Sequence, residues 1–410
     1  MLTVQEKRDA LLEEDLCDHC LGRQFAKLGH GLENYERGAI LRELEEVDED
    51  SFVKENIPED AEPGGSCEVC KDVFEKLDHW RKLVTDSFDR YEFDTFLIGI
   101  RPPGDAIEAE EELWEEYGIE WTEPIKTELS RLTGKRVEQE MDIKVDFTRP
   151  DVNAIIEMEE TKDRVEMDVN SLLIYGQYNK FSREIPQTEW HCRNCRGSGC
   201  DECDWTGKQY PTSVQEEIQP PFLRETKGIE AKFHGGGRED VDARCFGRRE
   251  FVLEIVEPLD RDIDLQELAQ EVNNSQEKVE IYSVRPAGKD EIEEIKEKHA
   301  DKMYRADIKL SEEVDEEKLE ELQQIEGTVE QRTPQRVEHR RADKIRKREV
   351  YRILCEKKSE KNIELVVNAE AGTYIKEMIH GDEGRSDPSV SGILGVEAEC
   401  TALDVLDVEK

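Results

Sequence analysis

Eight of the 11 cysteines in this chain fall into four Cys-x-x-Cys pairs: Cys17 and Cys20, Cys67 and Cys70, Cys192 and Cys195, Cys200 and Cys203. No other feature restricts the fold as much, because two thiolates two residues apart supply half of a tetrahedral metal site. In an intracellular chain such pairs read as metal ligands before disulfides. The first two pairs flank a helical insertion, and a zinc ion shared between them would tie together segments that are otherwise loosely connected. The competing reading is two unrelated pairs of free or buried cysteines. The last two pairs lie within twelve residues, where Gly197 and Gly199 permit a tight turn. A redox pair is the rival there, but no βαβ setting surrounds it. A chaperone zinc module shares the Cys-x-x-Cys-x-Gly-x-Gly form but repeats it at longer spacing. Four thiolates leave no open coordination position, so the metal expected at both sites is structural zinc. Cys245, Cys355 and Cys400 are single.

The chain carries 101 acidic against 58 basic residues, a net charge of −43. Phosphate contacts need Lys and Arg, so this balance opposes nucleic-acid binding at ordinary ionic strength. Either the protein avoids polyanions, or it works in a very saline cytoplasm, where the Debye length falls to about 3 Å near 1 M salt. The acid is spread over the whole chain and not gathered in a tail, which favours the saline reading. At 410 residues, 36% of them hydrophobic, the chain has material for two to three domains. No run of about 18 apolar residues exists, so no membrane span is expected. The N-terminus lacks the basic start and apolar stretch of a signal peptide, so the expected location is the cytoplasm.

Residues 1–90 read as helical, with apolar spacing of helical period in LENYERGAILRELEEV and VFEKLDHWRKLV. Residues 91–188 read as an α/β unit: strand YEFDTFLIGIRP, two helices, then the β-rich runs VDFTRPDVNAIIEME and RVEMDVNSLLIYG, with the acidic turn EETKD between them as a hairpin. The Cys- and Gly-rich knuckle occupies 189–208. Strand and helix candidates alternate from VQEEIQPPFLRETKG to the final strand CTALDVLDVE, in an order that favours an α+β sheet over a doubly wound one. The expected divisions are 1–90, 91–208 and 209–410.

The segment FHGGGREDVDARCFGRREF is the most informative for chemistry. Gly235, Gly236 and Gly237 permit close approach of backbone to a ligand, and Arg238, Glu239, Asp240, Asp242 and Arg244 follow. Taken alone, this reads first as a polar β-turn with charged flanks, and no Gly-Lys-Ser/Thr follows to make a phosphate loop. The segment QRTPQRVEHRRADKIRKREVY runs against the acidic background, with Arg332, Arg336, Arg340, Arg341, Lys344, Arg346, Lys347 and Arg348. It is the clearest candidate footprint for RNA; the alternative is ion pairing with the abundant carboxylates.

GGREDVDAR with a following FVLEI resembles the catalytic motif of the archaeal and eukaryotic tRNA pseudouridine synthase family known as Pus-ten, and its Gly-Arg-x-Asp core is similar to the Gly-Arg-Thr-Asp of the TruA family. The segments CDHCLGRQF, CEVC, YNKFSREIPQT, SVQEEI, RTPQRVEHRRAD, GTYIKEMIHGDEGR and PSVSGILG resemble the same family in the same order, over nearly the whole chain. The resemblance implies an α+β fold: a mixed pseudouridine-synthase sheet flanked by helices, preceded by a zinc-bound helical region and a THUMP-like α/β domain. It implies Asp240 as the essential carboxylate, with Asp242 the other candidate. Tyr304 would lie against the target base, Tyr374, Ile375 and Lys376 would form a second motif, Leu403 would close the pocket, and Arg238 would assist in binding substrate. Lys376 beside Asp240 would keep it ionised. Lys180 and Arg183 would contact phosphate or sugar, and the Arg332–Arg341 stretch the T-arm backbone.

The implied reaction converts uridine to pseudouridine at positions 54 and 55 of tRNA, with no organic cofactor and no obligate protein partner. The target base must first leave its helix. Attack on C6, attack on C1′ and removal of a ribose proton all remain open as routes. So does a non-catalytic RNA-binding or RNA-folding module on the same scaffold.

Overall fold

The computed structural model describes residues 2–63, 67–158, 162–338 and 342–409. The chain divides into two compact units, Met1–Ser171 with Glu257–Arg261, and Leu172–Val256 with Asp262–Lys410. Among the described residues no helix is long and apolar enough to cross a membrane.

The first unit opens with helices α1 (Val4–Leu11), α2 (Asp18–Gly22), α3 (Asn34–Glu43) and α4 (Leu77–Phe88). Thr3 starts α1 in a capping box with Glu6, which satisfies amide groups that the first turn leaves unpaired. Strand β1 (Thr95–Arg101), helices α5 (Gly104–Tyr117) and α6 (Ile125–Met141), and strands β2 (Lys144–Val145), β3 (Val152–Glu157) and β4 (Arg164–Val169) follow. The sheet order is β2-β1-β3-β4, with β1 parallel to both neighbours and β3 antiparallel to β4. These last two are the strands expected to form a hairpin; residues 159–161 of the turn EETKD lie outside the described residues. Phe25 and Trp80 from the helical region share one core with Phe96, Leu129 and Ile156. The expected division near residue 90 therefore separates no two cores.

The second unit is built on a ten-stranded mixed sheet. Its strands are β5 (Leu172–Lys180), β6 (Glu230–Gly235), β7 (Ala243–Val256), β8 (Val279–Pro286), β9 (Lys302–Leu310), β10 (Gly327–Arg332), β11 (Ile345–Ser359), β12 (Asn362–Ala369), β13 (Ser386–Asp387) and β14 (Ala398–Val408). The order is β13-β10-β11-β12-β9-β14-β7-β5-β8, with β6 paired to the far half of β7. Helices α7 (Val214–Thr226), α8 (Leu265–Ser275), α9 (Asp290–Glu297), α10 (Glu316–Glu320), α11 (Ile375–His380) and α12 (Val390–Leu394) complete it. Among the described residues of this sheet only β14 and β7 pair in parallel, through Leu403↔Ala243 to Val405↔Cys245.

The expected boundary at 208/209 moves to 171/172. RVEMDVNSLLIYG reads as one β-rich run but holds two strands that part company at Asn170 and Ser171. Strand β4 alternates and pairs with β3; β5 is buried almost throughout and enters the large sheet between β7 and β8. A period of two fixes which face a side chain takes, not which sheet its strand joins. The knuckle at 189–208 consequently belongs to the second unit.

Candidate active site

Strands β9, β14 and β7 place the site. Because side chains alternate along a strand, Tyr304, Ala306, Leu403, Val405, Ala243 and Cys245 share one face through direct cross-strand pairing. That face opens at its end into a cavity of about 700 Å³, lined by Asp240, Tyr304, Arg336, Tyr374, Ile375, Lys376 and Leu403 among others. The cavity thus brings together Asp240 and the tyrosine, aliphatic and lysine positions read from the sequence. Tyr304 is buried, and burial pushes its phenol up to about 12, so the ring stays neutral. Tyr374 stands at the start of α11, where its N–H donates to Gln331 Oε1 at 2.8 Å and its carbonyl accepts from Gln331 Nε2 at 2.9 Å.

Asp240 lies on the loop joining β6 to β7. Lys376 Nζ stands 3.4 Å from Asp240 Oδ2, but it is closer to Asp242, at 2.7 Å from both oxygens. The expected Lys376–Asp240 pair is therefore a shared one. The second cation on Asp240 is Arg336, at 3.3 Å from Oδ1. Its Nε donates to Glu377 Oε1 at 2.6 Å, and Glu377 is buried beside Lys376 at the start of α11. Burial opposes the charge on Lys376 and on Arg336. The neighbouring carboxylates outweigh it and raise both. For Asp242, burial pushes upward and Lys376 outweighs it, leaving the carboxyl below its usual range. A carboxylate between two cations, on the wall of a cavity that two tyrosines also line, is equipped as a nucleophile or base toward a flat substrate.

The glycines act differently from the expectation that all three admit a ligand. A Cβ at Gly235 would meet Gln187 Nε2 at 2.6 Å, and Gly237 takes a left-handed φ of +77° under Arg249. Gly236 and Gly237 also line the cavity. Beneath the loop is a buried network: Arg249 Nε pairs with Glu239 Oε2 at 2.9 Å, Tyr178 Oη donates to Glu239 at 3.2 Å, and Gln187 Nε2 donates to Gly237 O at 2.8 Å.

Two residues read as RNA contacts have other roles. Lys180 is wholly buried and donates to the carbonyl oxygens of Ile185, Asp240 and Val241 at 3.0, 3.1 and 2.9 Å. It braces the Asp240 loop and presents no charge to solvent. Arg183 donates to Asp242 O at 3.0 Å and Leu403 O at 2.6 Å, and pairs with Asp404. Asp404 is also held by Arg244 at 3.0 Å and Arg305 at 2.7 Å, its direct cross-strand neighbours. Arg238 lies 4.4 Å over the Trp190 ring at the mouth of the cavity. Arg332 is exposed and paired with Asp343; Arg340 and Arg341 lie outside the described residues.

The sequence reading missed Glu377, Arg249 and Asp404 and assigned Arg336 to the RNA backbone. Arg249 left a signal: a charged residue on the inward side of a strand whose first half alternates strictly.

Both cysteine sets fit a tetrahedral metal. In each, the four Sγ atoms lie within 4.8 Å of one another. Sγ–Sγ distances are 3.6 Å for Cys17–Cys70, 3.9 Å for Cys192–Cys200, 3.8 Å for Cys195–Cys203 and 3.7 Å for Cys200–Cys203. Zinc–sulfur bonds of about 2.3 Å set tetrahedral edges of about 3.8 Å, against about 2 Å for a disulfide. Backbone N–H groups of Gly199 and Gly207 point at Cys195 Sγ (3.2 Å) and Cys203 Sγ (3.3 Å), as thiolate acceptors require. Either set could hold zinc.

Comparison with known proteins places this geometry in a family. Residues 173–409 match the profile described as Pus10, C-terminal, and residues 80–157 match the Pus10 THUMP domain, archaeal. A relative from Methanothermobacter marburgensis, named tRNA pseudouridine synthase Pus10, is 43% identical over 416 residues, covering 99% of each chain. One of the same name from Halorubrum lacusprofundi is 42% identical over 408 residues, covering 96% of this chain and 93% of its own. Among solved structures, a Cbf5-Nop10-Gar1 complex aligns at 20% identity over 48% of this chain and 45% of that chain, with a TM-score of 0.29, too low to define a shared fold. The relatives are tRNA pseudouridine synthases by name. The chain belongs to the Pus10 family.

Proposed function

We propose that this protein isomerises uridine to pseudouridine at positions 54 and 55 in the T arm of tRNA, with Asp240 as its catalytic carboxylate. The observation that carries the reading is the placement of Asp240 between Arg336 and Lys376 on the wall of a cavity that also holds Tyr304 and Leu403. The reaction breaks the N1–C1′ bond, forms C5–C1′, and moves one proton from C5 to N1, so atoms and electrons balance with no organic cofactor. Asp240 attacks C6 or C1′, or removes a ribose proton; each role needs a carboxylate within reach of the ribose and base. Tyr304 gives the flipped base a flat face, and Leu403 and Ile375 give it an apolar edge. The family's THUMP domain, in the first unit, binds tRNA, and the two four-cysteine sets hold structural zinc.

The test is incubation with unmodified tRNA, followed by carbodiimide-dependent primer extension. Stops at 54 and 55 with wild type and none with Asp240→Ala or Asp240→Asn are expected. Product from Asp240→Asn at the wild-type rate would move the active centre elsewhere. RNA binding without product from wild type would make the protein an RNA-binding module.

A further inference from the structure

Lys302 occupies a slot that the sheet pattern reserves for an apolar side chain. It shares the inner face of β9 with Tyr304, Ala306 and Ile308, which are all buried, and its cross-strand neighbours are Ala369 and Val408. It lines the same cavity as Asp240. The one side-chain hydrogen bond of Lys302 among the described residues runs from Nζ to the carbonyl oxygen of Ala300, at 2.6 Å. In a chain with 101 acidic residues, none places a carboxylate within ion-pair distance of this ammonium among the described residues. The cations around it are matched: Arg249 by Glu239, Lys298 by Glu250, Arg348 by Glu370. An inward cation without a counter-charge is costly. Burial draws its pKa down to about 8, which still leaves it charged at neutral pH.

A second cation, Arg348, lines the same wall. Arg348 spends Nη1 on Glu370 at 2.9 Å, while its Nε is buried with no hydrogen-bond partner. Gly372, at φ +86°, packs against this guanidinium; a Cβ there would stand 3.4 Å from Nε and from Nη2. The amide of Ala371 donates to Asp301 Oδ1 at 3.1 Å, which holds this turn against the start of β9.

We propose that Lys302 and Arg348 form a phosphate subsite, which holds the RNA backbone next to the nucleotide presented to Asp240. The proposal rests on the function proposed above. Uracil is neutral and would leave the Lys302 ammonium uncompensated. A phosphate oxygen supplies the missing charge and accepts from ammonium and guanidinium together. A cavity of about 700 Å³ matches pockets that take a drug-sized ligand, so a nucleotide fits with its flanking phosphate.

The test uses the full chain with an unmodified T-arm minihelix, measuring affinity over a salt series and product in the same samples. Lys302→Met should weaken binding about tenfold or more at fixed salt. It should also lower the slope of log K against log salt by about 0.7–0.9, the value of one phosphate contact, while Lys302→Arg keeps the slope. A neutral methylphosphonate at one phosphate flanking the target should weaken wild type more than it weakens Lys302→Met, in which only Arg348 still faces that phosphate. Equal slopes for wild type and Lys302→Met, or equal sensitivity to the methylphosphonate, would overturn the subsite even while wild type makes pseudouridine. Absence of product from wild type would instead sink the function on which the subsite rests. Should Lys302→Met fail to fold, Lys302→Gln answers the same question with the same readouts.

Discussion

Removing one member of the Glu239–Arg249 pair should disturb the Asp240 loop far more than removing both. The two side chains are 1% and 2% exposed. Arg249 also reaches Gly236 O and Cys245 Sγ at 3.3 Å, and Glu239 accepts from Tyr178 Oη, itself held by Gln187 at 2.9 Å. Arg249→Met keeps the apolar stem but strands a buried carboxylate. Breaking a buried pair in this way costs about 3–5 kcal/mol, or roughly two to nearly four decades in an equilibrium constant at 1.36 kcal/mol per decade. In Arg249→Met with Glu239→Gln neither charge remains, and the amide still accepts from Tyr178. The double variant should therefore lose less than either single, a coupling of at least about 2 kcal/mol. Amide hydrogen exchange over residues 236–256 reads this locally, so unfolding of the other compact unit does not enter. Exchange should quicken about 10²–10⁴-fold in the single variant and largely recover in the double. The effect should be the same at low and high salt, since buried pairs are weakly screened. Single effects that add in the double to within about 0.5 kcal/mol would refute the ion-pair account of the loop.

Two further expectations concern pH and metal. The Asp242 carboxyl lies below its unfolded value and the Lys376 ammonium above its own, so their bridge is fully formed between about pH 4 and 10, lost below that window as Asp242 protonates and above it as Lys376 deprotonates. Thermal melts of wild type and Asp242→Asn should differ by a constant amount from about pH 5 to 9 and converge in acid; a difference that changes near neutral pH would contradict the assignment. Metal analysis should find two zinc ions per chain, one in Cys20→Ser and one in Cys195→Ser. Full zinc content in either variant would remove that set as a site.

The residues that the cavity gathers were legible through the family resemblance, because the motifs that carry it are local. Asp240 and the Tyr374–Lys376 run sit in short motifs whose residues remain neighbours after folding, and each Cys-x-x-Cys pair specifies half a tetrahedron by itself. What was misread depends on contacts far along the chain. Arg336 belongs to a basic stretch that looks like an RNA footprint, and only pairing of β10 and the start of α11 brings it to Asp240, 96 residues away. Lys180 looks like a surface cation in YNKFSREIPQT until β5 enters the large sheet and turns it under the loop. The same event moved the domain boundary. Strand membership, which depends on long-range pairing, is where sequence patterning fell short; strand and helix existence, which depends on local period, is where it held.

The acidic composition then takes on a different meaning. A net charge of −43 opposes RNA only where the charge faces it, and the cavity wall carries eight Lys or Arg residues against two acids. Most of those cations are neutralised from within by named carboxylates, including Glu377, Glu370 and Glu250, which fixes their geometry and removes their long-range pull. A cleft organised this way gains little from electrostatic steering and much from fit, because the contacts left to make are short-range: a ring, an apolar edge and a few donors. Where screening is strong, that is the arrangement under which a polyanionic substrate can still be held in register.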